Sequence, residues 1–343
     1  MSKIRPRLTE KEYEILQQIR SNHAALQAEC EEKGIPIEDV KHYWYKGENF
    51  SINVKNPTYS YEQVRDEIVE SMKKHSPVYE KIKRVPQKEE GHLLVIDPAD
   101  VHIGKLATTY ETGEDYNSGI AIQRVLDGVY GIIEKSKGFK IDKILYIIGN
   151  DILHTDTPRR TTTSGTGQDT DGMWYENFMT AKQLNISVIE CLLKYADVFV
   201  QYDPSNHDYM SGYFLADTIS SWFSKCKNIE FNCSIAHRKY FRYHNNLIGT
   251  THGDGAKEQD LPMLMAHESA DWSTCKHKYF YTHHIHHKKS KDYMGVTVES
   301  VRSPSGPDGW HSRNGYQHAP KAIEAFIHSK ENGQVARISH IFA

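Results

Sequence analysis

From Leu93 onward the chain alternates short apolar runs with longer amphipathic stretches, and this alternation most constrains its fold. LLVI (93–96) is a short buried-strand run, and KILYII (143–148) and DVFVQY (197–202) read as a second and a third strand. Helix candidates follow at 120–135, 174–195 and 213–223. Strand and helix in alternation predict a sheet-based α/β domain. After residue 229 the texture becomes β: IEFNCSI, YFRYHNNLIGTTH, KYFYTHH and MGVTVESV, with Asn245-Asn246 suited to a hairpin turn.

At 343 residues the chain has room for two domains, or one large domain with an appendage. Residues 1–75 read as a small helical N-terminal region. Thr9 with Glu12 makes a capping box, Ile15, Leu16, Ile19 and Leu26 follow at helical spacing, and Gly34 is the stop. A second helix is expected after Pro36, carrying Val40, Lys41, Trp44 and Lys46, and a third over Tyr61 to Lys74. Helix, turn and VKHYWYK together suggest a helix-turn-helix-like module. Residues 76–91, charged and with two prolines, read as a linker, and 92–343 as the main domain.

The formal net charge of −3 excludes a polybasic nucleic-acid binder but leaves room for a local basic groove. Five cysteines without a CxxC pair argue against a disulfide framework and against Cys-ligated zinc. With no apolar leader and no long apolar run, a soluble cytoplasmic protein without membrane association is expected. Oligomeric state is not legible.

Histidine is unusually frequent, 20 in all against 22 glycines, with fifteen beyond residue 150. They are internal and dispersed, so a purification tag does not explain them. Each predicted strand instead runs into metal-ligand residue types. Asp97-Pro-Ala-Asp100-Val-His102 follows the first strand, and Gly149-Asn150-Asp151 the second. Ser205-Asn206-His207-Asp208 follows the third, with His252-Gly253-Asp254 and His283-His284-Ile285-His286-His287 after two later ones. Ligands of open α/β sheets gather at strand carboxyl ends, so five such ends can converge on one pocket. Alone, DxH arises by chance, SNHD makes an Asx turn and HHIHH is a surface tract. Five in order at strand ends are much harder to explain that way.

The series DxH, GD, GNH, H and GHxH resembles that of calcineurin-like metallophosphoesterases, over roughly residues 92–300. DVHIGK (100–105) and Asp151-Ile-Leu-His154 are similar to the double-strand-break-repair nuclease branch. The resemblance implies a four-layer α-β-β-α sandwich with two mixed sheets. It also implies two divalent ions, Mn²⁺ foremost with Fe²⁺ or Zn²⁺ as alternatives. Such ions lie roughly 3.5–4 Å apart, clamp a phosphoryl group and generate a metal-bound hydroxide. By analogy Asp100, His102 and His286 hold the first ion and Asn206, His252 and His284 the second. Asp151 bridges them, His207 serves the leaving oxygen as acid or charge stabiliser, and Asp208 orients it. His154, Arg159 and Arg160 become candidates for substrate binding.

Three departures stand out. Ser205 and His283 occupy places where the family has glycine. GND replaces GD, so either Asn150 bridges the ions or one residue is inserted and Asp151 does. A neutral amide is a poor bridge between dications, which favours Asp151. Lys288 and Lys289 flank the last motif without an assigned role. Trp310, His311, Arg313 and Tyr316 lie in a later loop and either stack bases or simply pack.

The expected function is phosphodiester hydrolysis with nucleic acid as substrate, in the manner of a DNA exonuclease. Two alternatives are carried. One is a phosphatase on phosphomonoesters, although ILHTD and SNHD differ from the DRG and GNHE of protein phosphatases. The other is an inactive metal-bound scaffold, which the retained ligand types disfavour.

Overall fold

The computed structural model describes residues 24–37, 40, 42–46, 51–55, 76–84 and 91–342. The chain divides into two compact units, Met1–Lys74 and His75–Ala343.

In the smaller unit a helix over 24–33 ends at Gly34, whose φ of 65° is the left-handed stop expected there. The second helix is not found. Strand β1 (His42–Lys46) pairs antiparallel with β2 (Ser51–Lys55), setting Trp44 opposite Asn53. The reason lies in HYWYK, whose consecutive aromatics favour a pleated strand over a helix. A helix and a hairpin thus stand where a helix-turn-helix was expected. The capping box at Thr9, the apolar positions 15, 16 and 19, and the third helix lie outside the described residues.

The larger unit holds two sheets. The first has the order β13-β12-β3-β4-β5-β6. Its parallel members are β3 (His92–Asp97), β4 (Ile141–Gly149), β5 (Asp197–Asp203) and β6 (Ile229–Asn232). Strands β12 (Ala322–Ser329) and β13 (Gly333–Ile341) add antiparallel at one edge. The second sheet runs β10 (Lys289–Tyr293), β11 (Val296–Ser300), β9 (His277–Thr282), β8 (Asn246–Thr251), β7 (Lys239–Tyr243). Both are mixed, and with their helices they build the α-β-β-α sandwich.

Alternate side chains of each buried strand serve different layers. Leu93, Val95, Leu145, Ile147 and Phe326 face Phe241, Ile248 and Tyr281 between the sheets. Tyr281 and Phe326 stack there with ring centroids 3.8 Å apart. Leu94, Ile96, Ile144, Tyr146 and Ile148 point the other way, beneath helices Ser118–Ser136, Trp174–Leu192 and Tyr209–Trp222. Helix Leu261–Glu268 covers the far face of the second sheet through Leu261 and Met265. This two-sided burial is why the runs read as continuously apolar. The β7–β8 turn sits one residue earlier than expected, on His244 and Asn245, because Asn246 already pairs with Tyr243.

Residues 76–84, expected as linker, pack along the larger unit. Tyr79 stacks on Phe223 and receives the Trp222 indole N–H at 3.0 Å. The Ile82 N–H donates to Asn228 Oδ1, and Arg84 pairs with Asp197 at 2.7 Å. Tyr79 is the half-buried apolar anchor of the segment, and Ile82 is held through its backbone while its side chain stays exposed. Among the described residues no helix is long and apolar enough to cross a membrane.

Candidate metal centre

The strand ends converge through their backbones. The Asp100 N–H donates to Asn150 O at 2.7 Å and the His102 N–H to Asp151 O at 2.9 Å, extending the β3–β4 pairing past both strands. On the second sheet the His283 N–H donates to His252 O at 2.9 Å. Of the nine non-glycine residues with positive φ among those described, six lie here: Asp100, His102, Asn150, Asp151, His284 and His286. Each left-handed L-residue costs roughly 1–2 kcal/mol. Such a concentration persists only where the surroundings over-determine it, as functional sites do.

The turns aim two sets of ligand atoms inward. Asp100, His102 and His286 form one, and Asp151, His252 and His284 the other, each with its atoms within 4.8 Å of one another. In the first, His286 Nε2 lies 3.4 Å from Asp100 Oδ1 and 3.5 Å from His102 Nε2. In the second, His252 Nε2 lies 3.2 Å from Asp151 Oδ2 and 2.9 Å from Asn206 Oδ1. Asp100 Oδ1 is buried without a hydrogen-bond partner, as is His252 Nδ1. A buried, unpartnered carboxylate oxygen facing imidazole nitrogens fits a divalent cation, and the oxygen-and-nitrogen donor sets suit Mn²⁺, Fe²⁺ or Zn²⁺. Asn150 turns away, its amide 3.4 Å from His283 Nε2, whereas Asp151 faces the second set.

Charge is arranged to match. Burial opposes ionisation of Asp100 and Asp151, but facing imidazoles outweigh it (His286 at Asp100, His252 at Asp151), so both carboxyls stay below the usual range. Burial likewise opposes a charge on His252, yet Asp151 outweighs it and lifts that imidazole to about 9. Burial, with His207 and Lys105 nearby, holds His102 and His154 well below 6.5, so both keep a lone pair for a cation.

His207 lines the cavity above these sets, and its Nδ1 lies 3.0 Å from the carbonyl of His154. A carbonyl only accepts, so Nδ1 carries the proton and Nε2 is left for a ligand. Asp208 does not orient this ring. Its carboxylate accepts from the Leu153 N–H at 2.9 Å and the Ser205 hydroxyl at 2.5 Å, and Ser205 Oγ accepts from the Asp151 N–H at 2.8 Å. Asp208 is thus a strut between the second and third strand ends. Burial, with Asp151 nearby, pushes its carboxyl up to about 7. Ser205 completes the strut, which accounts for a serine in the glycine's place. His283 has its own task, with Nδ1 donating to Thr251 O and Nε2 lying 2.7 Å from Asp97 beneath the site. Burial disfavours its charge, but Asp97 prevails and its pKa is raised.

His154 joins His102 and His207 in a third cluster, with Nδ1 3.4 Å from His102 Nδ1. Arg159 and Arg160 do not line the cavity; the Arg160 guanidinium lies 3.8 Å from Met173 Sδ. Thr162, Ser164 and Gln168 of the same loop form the wall instead. Lys288 and Lys289 also lie off the cavity, while Trp310, His311 and Arg313 line it. Lys105 and Asp308 were not singled out from sequence. Lys105, fully buried, reaches Asp308 at 3.1 Å, and Asp308 in turn holds His311 Nδ1 at 2.7 Å. The only sequence signal was the lysine closing DVHIGK.

No family model and no curated protein matches the chain. Solved structures do resemble it. Vps29 of Entamoeba histolytica, complexed with Zn²⁺, is 13% identical over 74% of this chain and 99% of that one, with a TM-score of 0.31. Vps29 of Cryptosporidium parvum is 12% identical over 75% and 100%, at 0.34. A protein of Streptococcus pneumoniae described as a predicted phosphoesterase is 11% identical over 73% and 98%, at 0.29. These likenesses are distant, and the chemistry has to be read from the site's own side chains.

Proposed function

We propose that the chain is a metal-dependent phosphoesterase that hydrolyses a phosphodiester, with nucleic acid as its substrate. The observation that carries this is the pair of facing ligand sets, held by left-handed turns beneath His207. Asp100, His102 and His286 would hold one ion and Asn206, His252 and His284 the other, with Asp151 between. Two divalent ions there supply Lewis acidity toward the phosphoryl oxygens and lower the pKa of water. Asp151 fixes the backbone N–H of His207 at 2.9 Å and so ties the ligand set to the proton donor. His207, with its Nδ1 proton committed to His154 O, presents Nε2 to the leaving oxygen, where it can hold or deliver a proton. His154 faces the same cavity and can hydrogen-bond a phosphoryl oxygen. The DILH stretch and a cavity of about 740 Å³ with hydroxyl and aromatic walls support nucleic acid over a small monoester.

The test is a substrate panel with Mn²⁺: single- and double-stranded DNA, RNA, bis-p-nitrophenyl phosphate and p-nitrophenyl phosphate. Cleavage of nucleic acid and the diester is expected, lost in Asp100→Ala and His207→Ala. Activity confined to the monoester would overturn the nuclease assignment. Inertness toward every substrate would overturn the phosphoesterase assignment.

A further inference from the structure

The cavity has two unlike walls. One is the loop bearing Thr162, Ser164 and Gln168; the other is the short helix Gly309–Asn314, bearing Trp310, His311 and Arg313. An unbroken series of rings climbs that second wall from the ligand sets. His286 and His311 lie parallel with centroids 5.1 Å apart, Trp310 meets His311 at 5.2 Å, and Tyr316 meets Trp310 at 5.6 Å. The top of the series is open, with Trp310 62% and Tyr316 64% exposed.

Exposed aromatic surface of this kind usually finds a partner, since these rings gain most from being covered. Here it is also held in place. Asp308 caps the helix by accepting the His311 N–H at 3.0 Å, and the buried Lys105 ammonium pins Asp308 from below. Gly309 admits the close approach of Glu111, because a Cβ would lie 2.4 Å from Glu111 Oε1. Ser312 Oγ donates to Glu111 O at 3.3 Å. The ion pair of buried Lys105 with partly exposed Asp308 fixes where the helix starts. A flat surface fixed in advance saves its ligand the cost of ordering it.

We infer that Trp310, flanked by Tyr316 and Arg313, is a stacking platform for an unpaired nucleobase adjoining the phosphodiester at the ligand sets. This rests on the phosphodiesterase assignment and deepens it to a substrate class, single-stranded nucleic acid or a frayed end. Three features favour a base. The ring series starts at a phosphoryl-binding site. Arg313 supplies a planar cation for a neighbouring phosphate. Trp310 stands exposed at the open top of the series, and a base can lie flat on it only when it is out of a duplex stack. Stacking on an aromatic ring accepts any base, so the platform confers preference for nucleotides without sequence preference.

Two esters isolate the base: the p-nitrophenyl ester of thymidine 5′-phosphate and methyl p-nitrophenyl phosphate. Both release p-nitrophenolate, and only the first carries a base. With Mn²⁺ the ratio of their kcat/KM values should favour the thymidine ester. Trp310→Ala should lower that ratio about 5- to 100-fold, and Trp310→Phe should restore most of it. Binding of a phosphorothioate oligothymidylate, followed by fluorescence anisotropy, should weaken in Trp310→Ala by a similar factor. An unchanged ratio with unchanged binding would overturn the platform. If wild type hydrolyses neither ester, the phosphodiesterase assignment fails; the binding arm still decides the platform, weakening in Trp310→Ala supporting it and no weakening overturning it.

Discussion

Replacing Asp208 by alanine separates two roles that a carboxylate beside the proton donor can have. Asp208 is fully buried, and its two oxygens accept from the Leu153 N–H and the Ser205 hydroxyl. Each bond to an ionised group contributes about 1.5–3 kcal/mol. The alanine variant forfeits both and leaves two buried donors unsatisfied, but it also removes a carboxylate whose burial is costly enough to lift its pKa to about 7. Offsetting these gives a net loss of about 2–4 kcal/mol. For a unit of this size that corresponds to a fall in Tm of roughly 5–15 °C. Differential scanning calorimetry measures it directly. Ser205→Ala should lose part of the same energy, and the double variant should fall short of the sum, because the two side chains share one bond. The refuting result is an Asp208→Ala protein with unchanged Tm whose kcat shows a displaced limb in its pH profile. Asp208 would then act through the His207 imidazole, as its position in the sequence suggested.

Three further outcomes follow from the packing. Burial, with His277 beside it, holds His328 at about 3, against about 6.5 unfolded. Its folded pKa is the lower one, so as pH falls below 6.5 only the unfolded chain takes up the proton. Stability should drop by about 1.4 kcal/mol per pH unit between pH 6.5 and 3 on this account. Urea titrations at pH 7 and pH 5 should show His328→Asn losing about 2 kcal/mol less than wild type, and parallel losses would refute it. Gly128 lies in helix Ser118–Ser136 where a Cβ would come 2.6 Å from Ile323 Cδ1 and 3.0 Å from its Cβ. Gly128→Ala should therefore destabilise by about 1–3 kcal/mol despite a propensity gain near 1 kcal/mol, and a raised Tm would contradict the close approach. His283→Gly should cost about 3–5 kcal/mol by stranding Asp97 in the interior, and an unchanged melting curve would count against that ion pair.

What could be read from the sequence follows from how local each signal was. The strands β3, β4 and β5 announced themselves because both their faces are buried, and Asp100, His102, Asp151, Asn206, His252, His284 and His286 because each follows a strand directly. Strands β12 and β13 were not anticipated. AIEAFIHS has the alanine and glutamate of a helix, and its strand state comes from pairing with β3, while Glu324 is reconciled to burial by Arg302, Arg337 and the Ser339 hydroxyl. The layer beneath the site was equally illegible. His283 and Asp97 lie 186 residues apart, and Lys105 meets Asp308 across a similar span, so their partners exist only once both sheets have formed. Arg159 and Arg160 looked useful by charge alone, yet the loop turns its hydroxyls and amides to the cavity instead.

The two facing ligand sets are the centre of the account, and counting bound ions tests them most directly. Equilibrium dialysis of the purified chain against Mn²⁺ should give about two ions per chain, falling to about one in His252→Ala as the second set loses a ligand. Fewer than one ion per chain in the wild type, or a stoichiometry that His252→Ala leaves untouched, would contradict it.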